Sequence, residues 1–124
     1  MNRHQAREKA FQMLFQLELN KRELPDALKD NEGNALQDPF LMKLIEGVTA
    51  HKEEIDSLIA SHLENWSFDR LAIAEKTILR IAVYEMRHME DIPTNVSINE
   101  AVELANKYGD QKSGKFVNGV LSKF

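Results

Sequence analysis

Apolar residues return at every third or fourth position along almost the whole chain, and alternating runs bounded by turn residues are absent, so the pattern predicts an all-α fold. Ala6, Ala10, Met13, Leu14 and Leu17 form a first stripe with Phe11 and Phe15 beside it. Asn2 stands where an N-cap is needed, and the helix is expected to end around Asn20. A short segment beginning at Pro25 is stopped by the turn-rich cluster Asn31-Glu32-Gly33-Asn34. Asp38 followed by Pro39 has the form of an N-cap with proline at the first helical position, ahead of a buried face of Leu41, Leu44, Ile45 and Val48. Ile55, Leu58, Ile59 and Leu63 predict a fourth helix ending near Asn65-Trp66-Ser67.

From Leu71 to about Met89 the chain is apolar on more than one face, as expected of a helix at the centre of a bundle. Ile92-Pro93 breaks it, and Ser97-Ile98-Asn99-Glu100 has the spacing of a capping box at the start of a sixth helix. That helix carries Ile98, Ala101, Leu104, Ala105 and Tyr108, with Gly109 suited to the left-handed position past its end. A last helix is expected from Lys112 or Ser113, with Phe116, Val117, Val120, Leu121 and Phe124 on its apolar stripe. The whole predicts one domain of about seven helices, with the loop near residue 33 as a candidate divide between an N-terminal and a C-terminal helical subdomain.

A chain of 124 residues is long enough to bury a core without a staple, and it contains no cysteine, which removes disulfides, thiolate metal sites and cysteine nucleophiles. The N-terminus is polar and basic, and no apolar stretch approaches the roughly 18 residues of a membrane span. A soluble, cytoplasmic protein is expected. The net charge of −4 argues against nucleic acid until its distribution is followed. Residues 1–9 carry +2 and residues 105–124 carry +3, while the 95 residues between them carry −9. A polyanion would therefore be steered to the two ends, provided that folding brings them together.

Most candidate chemistry fails on context. Gly109-Asp110-Gln111-Lys112-Ser113-Gly114-Lys115 matches the core of a phosphate-cradling loop, but Phe116 replaces the magnesium-binding hydroxyl and a helix precedes it where a strand is required. His4, His51, His62 and His88 fall at no metal-ligand spacing, and no nucleophile has a base beside it, so no metal, cofactor or catalytic residue is expected. Arg80 and Glu85, in the most apolar helix, suggest a buried polar pair serving packing specificity. The basic ends remain. Arg3, His4 and Arg7 occupy the first turns of a helix, where Arg3 and Arg7 project from one face and the free backbone donors favour a phosphate. Lys112, Lys115 and Phe116 repeat the arrangement at the last helix with an aromatic ring supplied, the combination of cation and stacking surface that binds single-stranded RNA. By periodicity alone Phe116 is also a core position.

These residues carry a resemblance to a known family. The stretch Glu75-Lys76-Thr77-Ile78-Leu79-Arg80-Ile81-Ala82-Val83-Tyr84-Glu85-Met86, then Ile92-Pro93, Ile98-Asn99-Glu100-Ala101-Val102-Glu103-Leu104-Ala105 and Lys115-Phe116-Val117-Asn118-Gly119-Val120-Leu121, resembles the C-terminal half of the NusB family of transcription antitermination factors in order and spacing. Ala6 to Phe15 is similar to the family's arginine-rich opening helix, and only residues 20–40 lack clear correspondence. The resemblance implies a compact all-helical fold of about seven helices in two subdomains, about residues 1–64 and 65–124, that binds boxA, a single-stranded RNA element, together with the ribosomal protein NusE, in an RNA polymerase antitermination complex. By position it implies that Arg3, His4 and Arg7, joined by Lys115 and Phe116, contact RNA, and that Glu75 and the central helix lie toward NusE. At His4 and Gln5 the family often has arginine, which makes this basic motif weaker than its relatives' at neutral pH.

Two further readings compete with this one. A helical scaffold without RNA contact fits the acidic middle of the chain, and NusB-like domains also precede the catalytic domain of some RNA methyltransferases, although no sequence remains here for a cofactor-binding sheet. An exposed apolar helix face would serve equally a homodimer or the NusE contact.

Overall fold

The computed structural model describes residues 1–30 and 38–124. Among these the chain forms seven α-helices and one 3-10 turn, with no strand: α1 (Arg3–Asn20), α2 (Leu24–Asp30), α3 (Pro39–Ala50), α4 (Lys52–Ser61), the turn Phe68–Arg70, α5 (Ile73–His88), α6 (Thr94–Tyr108) and α7 (Ser113–Leu121). The turn cluster at residues 31–34 lies outside the described residues.

Local chemistry sets several of these boundaries. The Asn2 side chain accepts from the Gln5 N–H at 2.8 Å while the Gln5 side chain accepts from the Asn2 N–H at 3.0 Å, so α1 opens on a reciprocal cap. The same helix stops at Lys21, whose φ of 52° is left-handed and whose N–H turns back to the Leu17 and Glu18 carbonyls. Asp38 caps α3 through a 3.0 Å bond from the Leu41 N–H, with Pro39 at the first position. Helix α4 ends at Ser61, earlier than its apolar stripe suggests, and residues 62–67 form a loop.

Two expected helix ends are corrected. The Ser97-x-x-Glu100 spacing does not open α6, because Pro93, with φ already at −61°, starts the helix at Thr94. Ser97 is instead buried inside the helix, and its hydroxyl donates to Glu85 Oε1 at 3.0 Å. Gly109 is extended at φ −96° and ψ −168°, not left-handed. Glycine is required there because a Cβ would run into the Ser113 side chain and the Ala105 carbonyl.

Helix α5 is the axis of the fold, packing against α1, α3, α4, α6 and α7. Ile78, Leu79, Ile81, Ala82, Val83 and Tyr84 on it are all buried, in one contiguous core that draws residues from both halves of the chain. Its two buried charged residues do not pair with each other, contrary to the expectation. Arg80 makes a bidentate contact with Asp56 of α4 at 2.7 and 3.0 Å and reaches Glu18 of α1 at 2.6 Å. Glu85 receives both Nε and Nη2 of Arg7, at 2.9 and 2.8 Å. Residues 80 and 85 sit five apart on one helix and point to different neighbours. Each carboxylate or guanidinium therefore ties the central helix to another element, in the fork geometry that satisfies buried charge.

Candidate nucleic-acid interface

The pairings just described fix α1 antiparallel to α5 and parallel to α6: His4 lies against Glu100 and Glu103, Glu8 against Lys107 and Tyr108, and Gln12 against the Tyr108 hydroxyl. The first turns of α1 thus rest on the middle of α6. Helix α7 begins beyond α6, where the Ser113 hydroxyl donates to Glu75 Oε2 at 3.1 Å across to the start of α5. Both basic ends do meet α6, the first along its middle turns at Glu100 and Glu103 and the second just past its C-terminal end.

The α1 end is cationic in sequence and compensated in space. The Arg3 guanidinium is exposed, pairs with Asp91 at 3.1 Å and stands 4.7 Å from the Phe40 ring centroid. His4 Nδ1 is 2.7 Å from Glu100 Oε2, and the hydrogen bond and charge of Glu100 raise its pKa above 6.5, favouring the cationic ring. Arg7 does not share an exposed patch with Arg3. It is 3% exposed and held by Glu85, with Glu100 a further 3.7 Å contact. One turn separates two arginines of one face into a surface group and a core group, because the face runs from the open helix end into the contact with α5.

The α7 end is different. Lys112 and Lys115 are exposed, and neither ammonium forms an ion pair among the described residues. Phe116 is half-buried, packed on the rim of the core and edge-on to Trp66 with ring centroids 6.1 Å apart. It serves both as packing and as exposed aromatic surface. Gly114 lies within α7, where a Cβ would collide with Asn106 of α6, so this glycine permits helix contact and belongs to no phosphate loop.

Glu75 occupies the first turn of α5, half-buried, with one oxygen accepting the Ala72 N–H at 3.3 Å and the other the Ser113 hydroxyl. Beside it, Ala74 lines a cleft of about 220 Å³ with Phe11, Phe15 and Tyr108. Sequence reasoning did not find this aromatic cleft, because its walls come from three helices. Nor did it find that His51, Glu54 and His88 gather with ligand atoms within 4.8 Å. The two imidazoles are stacked at 4.2 Å and 25°, with Tyr84 on His88 at 5.0 Å. Near-parallel rings do not aim their in-plane lone pairs at one ion, so the arrangement is a ring stack.

A NusB family model matches residues 4–124. The chain belongs to the NusB family. It is similar to the transcription antitermination protein NusB of Oceanobacillus iheyensis, 57% identical over 123 residues, covering 99% of this chain and 98% of that protein. The corresponding protein of Bacillus subtilis is 48% identical over 122 residues, covering 98% and 93%. Among solved structures, NusB of T. maritima superposes with a TM-score of 0.88 at 36% identity, over 99% of this chain and 89% of that one. A structure of the antitermination factors NusB and NusE in complex with double-stranded RNA gives 0.83 at 34% identity, over 99% and 96%. The NusB family is one of non-enzymatic RNA-binding transcription factors. Among the described residues no helix is long and apolar enough to cross a membrane.

Proposed function

We propose that this chain is a cytoplasmic transcription antitermination factor that binds single-stranded boxA RNA together with the ribosomal protein NusE and joins an RNA polymerase complex. The observation that carries the reading is the likeness, over 99% of this chain, to a NusB found with NusE and RNA. The α7 end supports it physically: Lys112 and Lys115 offer phosphates two ammonium groups that form no ion pair among the described residues, and Phe116 offers a base an aromatic edge. Arg3 and His4 extend the contact at the α1 end, exchanging Asp91 and Glu100 for phosphate, while buried Arg7 positions the helix that carries them. Glu75 and the cleft of Phe11, Phe15 and Tyr108 form the surface offered to NusE. Three to five phosphate contacts would make log affinity fall with log salt at a slope of about −2 to −3.5.

The test is fluorescence anisotropy with a labelled boxA-like single strand and a scrambled control, each with and without NusE. Selective binding that tightens with NusE is expected. Equal affinity for both RNAs with NusE present would favour the runner-up, a helical scaffold whose acidic surface binds proteins alone.

A further inference from the structure

The largest apolar side chain of the protein is also among its most exposed. Trp66, the sole tryptophan, is 60% exposed, and the other large exposed hydrophobics among the described residues are Met1 and Leu19 near the ends of α1. An indole left in water by a mobile loop would mean little, but this loop is fastened. Asn65 holds a left-handed φ of 63°, a conformation asparagine tolerates better than most residues, and so turns the chain immediately before the indole. On the near side of that turn the His62 ring stacks on Phe124 at 3.9 Å, and Lys123 bridges to Glu64 at 3.3 Å. On the far side Phe68 begins the 3-10 turn, with the Lys76 ammonium 5.3 Å over its ring. The indole itself meets Phe116 edge to face, and Phe116 lies one helical turn after Lys112 and directly after Lys115.

A solvent-facing indole held against an aromatic that adjoins two lysines with no ion pair among the described residues has the composition of a single-strand stacking platform. Cations hold the phosphates while a π-face accepts any base. Its attachment by both flanks means that little ordering is left to do when a base arrives. Resting on the RNA-binding reading above, we infer that Trp66 is a base-stacking residue, extending the α7 contact from Lys112, Lys115 and Phe116 onto the loop between α4 and α5. The recognised group is a nucleobase of single-stranded RNA, and the contact is indifferent to which base it is.

Because the chain has one tryptophan, its emission reports this position alone. Titration of the full chain with an unlabelled boxA-like strand should quench Trp66 emission in step with the anisotropy of the labelled strand. Trp66→Ala should weaken RNA binding about fivefold to a hundredfold, the range spanned by single base-aromatic contacts, with Trp66→Phe falling between it and the unaltered chain. The α-helical circular dichroism of both variants should be unchanged, since the side chain lies outside the core. Equal affinity of Trp66→Ala and the unaltered chain, with emission unmoved at saturation, would overturn the platform and leave the RNA-binding reading standing. Failure of the unaltered chain to bind RNA would overturn both. Loss of NusE association with RNA affinity retained would also overturn it, reassigning the indole to a protein contact.

Discussion

The two basic ends of this chain look alike in sequence and differ in the folded molecule. At the α1 end Arg3, His4 and Arg7 face Asp91, Glu100, Glu103 and Glu85, so that three basic side chains meet four carboxylates. At the α7 end Asp110 accepts the Lys112 backbone N–H at 2.8 Å, but neither the Lys112 nor the Lys115 ammonium forms an ion pair among the described residues, and two aromatic rings stand beside them. A count of charges along the chain measures how much cation is present. What a polyanion encounters is the part that the protein has not already paired. The α1 end has converted charge into architecture, since the Arg7–Glu85 fork holds α1 on α5, whereas the α7 end keeps its charge available.

The sharpest way to break the comparison is at the buried fork. Arg7→Met leaves Glu85 nearly sealed from water with only Ser97 as donor, and should lower unfolding free energy by about 3–5 kcal/mol in urea denaturation. Pairing it with Glu85→Met should recover most of the loss, because the uncompensated charge is then gone. If Arg7→Met cost no more than an exposed ion pair, about 0–1 kcal/mol, the contrast between an architectural and an available arginine would fail.

A smaller effect is read at His4 through pH. Its folded pKa lies above the unfolded value of 6.5, first through the hydrogen bond to Glu100 and then through that carboxylate's charge. Its contribution to stability is therefore complete below about pH 6.5 and disappears as pH rises through the folded value. NMR titration of the His4 ring should show the raised midpoint, and Glu100→Gln should return it toward 6.5. Over the same window RNA affinity should rise as pH falls, and Glu100→Gln should move that rise to lower pH.

Elements whose cause is local were legible in the sequence. The stripes of α1, α3, α5 and α7, the Asn2 cap and the Asp38-Pro39 start all depend on residues within four positions of each other. The partners of charged residues were not. Arg7 and Glu85 are 78 positions apart and Arg80 and Glu18 are 62 apart, so the nearer Arg80 and Glu85 were matched by proximity in sequence. Ser97 misled for a related reason: its spacing to Glu100 is that of a cap, but Pro93 had already begun the helix and Glu85 had claimed the hydroxyl. Of the interface, the residue types were legible at both ends, while the neutralisation of one end and the aromatic neighbour of the other depend on tertiary contacts.

The salt dependence of RNA binding tests the contrast between the ends most directly. Affinity for a boxA-like single strand, measured with NusE across salt concentrations, should fall less steeply for Lys112→Ala/Lys115→Ala than for the unaltered chain, the slope changing by about 1.4 for two lost phosphate contacts. Arg3→Ala should change the slope by well under half that amount, since Asp91 already compensates its charge. A slope flattened as much by Arg3→Ala as by the double substitution would contradict the account and move the main phosphate contact to the α1 end.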